Sequence, residues 1–192
     1  MRIYFFDFDG TLIRKDSMLL FLFFIEKNYL IFFFKALIFS PVYFLFILGL
    51  VRKTKTKETL LKIYFFGKNE IQLKKKSKQF SKSIMKYFYR DAVNYISKIK
   101  VKKCIVTASL DIWMKDIANL LDCELICTES KFINGRFYGI KGKNCFGPHK
   151  VEKIFNRYDI NIYKEIFVFG DSNGDKEMLN LGSKSYYKYF KK

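Results

Sequence analysis

Two carboxylates two residues apart, Asp7 and Asp9, follow the apolar run Ile3-Tyr4-Phe5-Phe6 and lead into Gly10-Thr11-Leu12. A run of β-branched and aromatic residues ended by glycine predicts a buried strand of a parallel sheet. In an extended chain the two acidic side chains share one face. Carboxylates are costly inside a sheet unless something positive pairs with them. At the carboxyl end of a strand, however, they line the crevice where open α/β sheets bind ligands. Carboxylates gathered there suit Mg2+, a hard cation that takes one or two of them together with phosphate oxygens. The spacing alone leaves a plain strand followed by an Asp-Gly turn as an equal alternative.

The rest of the chain supplies elements that would hold such a site. Ile105-Val106-Thr107-Ala108-Ser109 reads as a buried strand running into hydroxyls, and Phe167-Val168-Phe169-Gly170-Asp171 as a strand entering the acidic loop Asp171-Ser172-Asn173-Gly174-Asp175. Pro148 begins a helix that carries Lys150 and runs to Tyr158. Helical patterns at 92–99, 112–121 and 176–181 alternate with strand patterns at 103–107, 124–128 and 166–169. Asn134-Gly135 inside 132–137 predicts a hairpin, since this pair tolerates the positive φ values of a type I′ turn. Strand-helix alternation with acids at strand ends predicts an α/β fold, a doubly wound parallel sheet of Rossmann-like type.

Asp7-Phe8-Asp9-Gly10-Thr11-Leu12 resembles the first motif of the haloacid dehalogenase superfamily of phosphohydrolases, and Thr107, Lys150 and the loop 171–175 fall where its next three motifs stand. The resemblance implies an α/β core made of 1–13 and 91–192, with an α-helical cap inserted at 14–90, as in the phosphoserine phosphatase branch. It implies Mg2+-dependent hydrolysis of a phosphomonoester. Asp7 would be the nucleophile that becomes an aspartyl-phosphate, and Asp9 the general acid and then base. Asp7 and Asp171 would ligate the metal by side chain and Asp9 by its backbone carbonyl. Thr107 would donate to a phosphoryl oxygen and Lys150 would neutralise developing charge. Asp175 would orient Lys150 or metal-bound water, or else serve as a helix N-terminal acid. Asp16 falls where a phosphoserine phosphatase carries a substrate-contacting acid, but the helix N-cap role is preferred. Ser109 and Asp111 either approach the substrate or cap a helix. Asn144-Cys145-Phe146-Gly147 and Gly170-Asp171-Ser172 resemble the phosphatidylglycerophosphatase C set of that branch, whose substrate lies in the membrane.

The chain has 192 residues and a net charge of +18, from 36 basic and 18 acidic residues. Such charge favours phosphate-bearing partners or an anionic membrane. Only six of the 36 are Arg, the residue suited to forked phosphate recognition, and this argues against a nucleic-acid partner. The sixth position of the 171–176 loop is Lys176 where a calcium-binding EF-hand needs Gly. Cys104, Cys123, Cys127 and Cys145 have no paired spacing, and Asp7 comes too early for a signal peptide, so reduced thiols in a cytoplasmic protein are expected. His149, the single histidine, reads as a surface residue.

The inserted stretch is unusually apolar. Residues 19–25 are wholly apolar, Glu26-Lys27-Asn28 interrupts, and the 23 residues 29–51 carry one charge, Lys35. A helix hydrophobic on every face belongs in a protein interior or in lipid. A single crossing would separate Asp7 from Thr107 and Asp171, and two crossings need ~20 residues each. Pro41 is expected to end or kink the helix. These constraints predict a helical hairpin that dips into one leaflet or packs on another protein. Lys53, Lys55 and Lys57 would then face anionic lipid, each adding ~1 kcal/mol. A helix over 69–89 should bury Leu73, Phe80, Ile84 and Phe88 and expose Lys75, Lys78, Lys82 and Lys86. The expectation is a phosphatase of lipid or lipid-linked phosphates, peripheral or monotopic on the cytoplasmic face of the inner membrane. A soluble small-metabolite phosphatase and a non-catalytic membrane-bound interaction protein are the alternatives, and the oligomeric state is left open.

Overall fold

A computed structural model describes residues 1–191. Six strands form one sheet: β1 (Arg2–Phe6), β2 (Lys102–Leu110), β3 (Glu124–Ile133), β4 (Arg136–Lys141), β5 (Glu165–Gly170) and β6 (Lys184–Tyr187). Their order is β4-β3-β2-β1-β5-β6, and every neighbouring pair is parallel except the β3–β4 hairpin. β1 is central because its residues are apolar on both faces. Ile3 and Phe5 enter one core with Val106, Val168 and Ile154, while Phe6 joins the other core with Ile105, Phe169 and Trp113. Aromatic rings continue the pairing sideways: Tyr4 stacks on Phe167 at 4.4 Å, Phe6 on Phe169 at 4.7 Å, and Phe169 on Tyr186 at 4.7 Å. Helices α5 (Arg90–Lys98) and α6 (Asp111–Leu120) cover one face, and α7 (Pro148–Phe155) and α8 (Lys176–Leu179) cover the other. This is the expected doubly wound sheet. The chain reverses winding direction between β1 and β5, which opens a crevice at their carboxyl ends.

Asn134 and Gly135 have φ of 48° and 72°, as the type I′ turn requires. β3 reaches beyond the expected 124–128 because this hairpin extends it. β6 is an unanticipated edge strand, too short and mixed in polarity to leave a period-two signal.

Four helices lie between β1 and β2 ahead of α5: α1 (Ser17–Ile25), α2 (Tyr29–Ile47), α3 (Lys53–Phe65) and α4 (Glu70–Ser83). Leu73, Phe80, Ile84 and Phe88 are buried as expected, although α4 stops at Ser83 and a tight 3-10 turn, Ile84–Tyr87, follows. α2 lies along α3, with Tyr64 Oη donating to Phe32 O at 2.8 Å, while Lys35 reaches back to Glu26 at 2.5 Å. Pro41 does not end α2, which runs unbroken through it. Proline removes the N–H that would have bonded the Leu37 carbonyl, and the Ser40 hydroxyl donates to that carbonyl instead, at 2.8 Å. None of the 19 residues of α2 is buried, although an 18-residue stretch of it has a mean hydropathy of 2.2.

Candidate active site

Three strand ends bring the acidic groups together. The Asp7 N–H donates to Phe169 O at 2.9 Å, which adds one rung to the β1–β5 pairing and fixes where its carboxylate emerges. Lys150 enters from the first turn of α7 and is 2 % exposed. Its three ammonium hydrogens are matched by Asp7 Oδ1 at 2.5 Å, Asp175 Oδ1 at 2.7 Å and Val106 O at 2.8 Å. Burial alone would depress this ammonium, but Asp7 and Asp175 hold it above its ordinary value. The second Asp175 oxygen accepts from Ser172 Oγ at 2.8 Å and from the N–H groups of Ser172 and Asp171 at 3.0 and 3.2 Å. One carboxylate thus holds both Lys150 and the loop that presents Asp171, while also standing just ahead of α8.

Asp7, Asp171 and Asp175 each offer an oxygen within 4.8 Å of the others. Asp175 is engaged with Lys150 and its own loop, which leaves Asp7 and Asp171 as the pair able to hold a divalent cation. Thr11 Oγ1 lies between them, 3.2 Å from Asp7 Oδ2 and 3.4 Å from Asp171 Oδ1. Oxygen donors of this kind suit Mg2+. Gly10 keeps the space: its φ is +84°, and a Cβ there would lie 2.4 Å from Asp171 Oδ2. The residues fit the cation. Asp171 Oδ2 also pairs with Lys191 Nζ at 2.7 Å, a contact with no sequence signal.

The Asp9 carboxylate stands apart from this cluster and is not among the side chains placed to hold the cation. Its oxygens accept from Ser17 N at 2.7 Å, Ser17 Oγ at 3.1 Å and Ser109 Oγ at 2.7 Å. Trp113 Nε1 backs Ser17 Oγ at 3.1 Å. Asp16 caps α1 by accepting from Leu19 N at 2.9 Å and also lines the cleft. Burial raises Asp9 to about 7, with Asp16 adding and the Ser109 and Ser17 bonds opposing. Burial raises Asp7 to about 6, against the pull of Lys150. Thr107 is buried, and its Oγ1 accepts from Ser109 N at 3.1 Å, which leaves its hydroxyl hydrogen free to donate. Asp111 turns away from the cleft and holds Ser130 at the start of the hairpin extension. His149 lies at the surface beside Glu152, and burial pushes all four thiols up.

The cleft over these groups is about 420 Å³. Its far wall comes from α1, α2 and α3: Met18, Leu19, Phe39, Tyr43, Phe46 and Leu60. Lys53 and Lys57 line this cleft, Lys57 partly buried and Lys53 exposed at its edge. Lys57 Nζ donates to Ala108 O and to Asn144 Oδ1, the latter at 2.8 Å. The missed signal is helical period. Residues 53, 56, 57 and 60 share one face of α3, whereas the alternating Lys-Thr composition reads as a solvated charge run.

The family profile for haloacid dehalogenase-like hydrolases matches residues 4–180. The chain belongs to that family. Among curated proteins it is 27 % identical to Protein CicA of Caulobacter vibrioides, over 97 % of this chain and 85 % of that protein. Its fold is similar to that of a protein of unknown function from Bordetella pertussis Tohama I, with a TM-score of 0.82 at 19 % identity, covering 96 % and 88 % of the two chains. It is also similar to a phosphoserine phosphohydrolase-like protein from Francisella tularensis, with a TM-score of 0.67 at 18 % identity over 97 % and 86 %. For this hydrolase family member, the likeness to those structures concerns the fold.

Proposed function

We propose that the protein is a Mg2+-dependent phosphomonoester hydrolase that works through an aspartyl-phosphate on Asp7, with a lipid or lipid-linked phosphate at a cytoplasmic membrane face as substrate. One observation carries the chemistry: a buried carboxylate held by a buried ammonium, opening onto a cleft beside a second acid of raised pKa. Asp7 attacks phosphorus while Asp9, protonated, gives its proton to the leaving oxygen. Asp9, now ionised, takes a proton from water, which attacks the phosphoryl group on Asp7, releases phosphate and restores the carboxylate. Thr107 donates to a phosphoryl oxygen, and Lys150 keeps Asp7 anionic and opposes charge developing in the site. Asp7 and Asp171 would hold Mg2+, which when bound supplies positive charge between nucleophile and phosphate.

The lipid part of the reading is supported by the apolar far wall and by α2, whose outward residues include Phe33, Phe34, Leu37, Phe44 and Leu30, the last 81 % exposed. An apolar surface this continuous calls for a partner, and a membrane would cover it while delivering an apolar leaving group to Phe39, Tyr43 and Phe46. The test is phosphate release from a panel of soluble and lipid esters, with and without detergent. Asp7→Asn, or excess EDTA, should remove turnover of every ester, with a circular-dichroism spectrum like wild type. Undiminished turnover would sink the mechanism. Turnover confined to short polar esters and indifferent to detergent would instead favour a soluble metabolite phosphatase.

A further inference from the structure

The stretch 184–191 grips the strand end that delivers Asp171. β6 sets Tyr187 beside Gly170, and Lys188 N then donates to Gly170 O at 2.9 Å. Lys188 has a φ of 53°, which turns the chain, and Lys191 N closes the turn on Lys188 O at 3.1 Å. Phe190, 5 % exposed, stacks on Phe169 at 5.5 Å and meets Tyr95 edge-on at 5.7 Å. With its neighbour anchored in this way, Lys191 sets its ammonium on Asp171 Oδ2 at 2.7 Å. Ion pairs between two long side chains free in solvent contribute little, because both must be ordered. Here the backbone of both partners is already fixed, and the Asp171 side chain is only 12 % exposed.

The two acids able to hold the cation are therefore matched. Lys150 takes Asp7 Oδ1, and Lys191 takes Asp171 Oδ2. Their other oxygens, Asp7 Oδ2 and Asp171 Oδ1, both lie by Thr11 Oγ1, at 3.2 and 3.4 Å. Each acid thus has one oxygen engaged by an ammonium and one left on the shared side. Ca2+ is large and readily takes both oxygens of one carboxylate, whereas Mg2+ demands a small, nearly octahedral shell. We infer that Lys191 is a positioning residue that sets the metal selectivity of the site: by holding Asp171 Oδ2 it restricts Asp171 to one oxygen and disfavours Ca2+ relative to Mg2+. The inference rests on Asp7 and Asp171 holding a divalent cation, as proposed above, and not on the reaction itself. The competing role for Lys191 is a clasp that ties the chain after β6 to the acidic loop. A clasp would act alike on both ions, and so would repulsion between the ammonium and a bound cation, since the two ions carry equal charge. Only restriction of the carboxylate separates them.

The experiment titrates MgCl2 and CaCl2 separately, by calorimetry, into EDTA-stripped and dialysed wild type, Lys191→Met and Lys191→Arg. Lys191→Met keeps the length of the stem without the charge, and Lys191→Arg keeps the ion pair. Lys191 is exposed, so both variants should melt within a few degrees of wild type. The ratio of Mg2+ affinity to Ca2+ affinity should fall ~10-fold in Lys191→Met, or ~1.4 kcal/mol, and stay near the wild-type ratio in Lys191→Arg. A ratio unchanged in Lys191→Met, with both ions tightened or weakened equally, would reduce Lys191 to a charge or a clasp and overturn the inference. The same ratio loss in Lys191→Arg, or no binding of either ion to wild type, would overturn it too. Because no turnover is read, a protein that shows the shift yet hydrolyses no ester would refute the phosphatase reading and leave the selectivity role standing.

Discussion

Asp7 and Asp9 leave one short loop and meet opposite surroundings. Asp7 faces an ammonium, whereas Asp9 faces two hydroxyls and a backbone N–H, with Asp16 near enough to disfavour its charge. The first environment preserves an anion for attack, and the second keeps a proton available near neutrality. For alkyl phosphates, kcat/KM should therefore fall as pH rises through about 7, because Asp9 loses the proton it must donate. It should also fall as pH drops through about 6, where Asp7 becomes protonated, and bound Mg2+ should move this acid limb lower by favouring the anion. An activated aryl phosphate needs no proton from Asp9 and should lack the alkaline limb. Asp9→Asn should slow alkyl esters far more than aryl ones, and equal losses for both would reduce Asp9 to a structural role. Asp7, Asp9, Thr107, Lys150, Asp171 and Asp175 were legible because the motifs that carry the family resemblance contain them, each near a strand end or a helix start. The partner roles of Ser17 and Thr11 were not, since a single hydroxyl carries no period.

Helices α2 and α3 carry the largest departure from expectation. Composition marks α2 as apolar on every side but cannot say which side meets the protein, because no polar stripe orients it. Tertiary placement resolves this: Phe39 and Phe46, partly buried, and Tyr43, half exposed, line the cleft, while Phe33 and Phe44 lie outside it. The same contrast defines a test. Phe33→Asp with Phe44→Asp places charge on side chains already in contact with solvent, so the melting temperature should change by no more than a few degrees, as for other surface substitutions. Sedimentation with phospholipid vesicles should nevertheless drop sharply, and turnover of a short soluble ester should persist. Unfolding of the double variant would instead mean that this face packs inward. Phe39→Ala and Tyr43→Ala should act in the other direction, raising KM for long-chain esters while vesicle binding remains.

On the scale of the whole molecule, the doubly wound parallel sheet, β6 apart, was legible from strand patterns, while its strand order and the course of the inserted helices depended on contacts between distant segments. α4 packs on α6, and α3 packs beside β4, and neither contact leaves a local trace in the sequence. This arrangement also redistributes the charge. With Lys57 turned into the cleft, the exposed basic residues flanking the two ends of α2 are Lys27 before it and Arg52, Lys53 and Lys55 after it, Lys53 also bordering the cleft. An apolar helix with cations at both ends suits a membrane surface, its side chains in the lipid and the cations at the headgroups. Binding to anionic vesicles should then combine a salt-resistant apolar part with a salt-sensitive part, because exposed charges are screened over ~8 Å at physiological ionic strength. Lys27→Glu with Lys55→Glu should weaken binding at low salt, lose most of that effect at high salt, and make little difference with neutral vesicles. A wild-type protein that stays monomeric without detergent and ignores anionic vesicles at low salt would refute the interfacial placement and move the substrate to the aqueous phase.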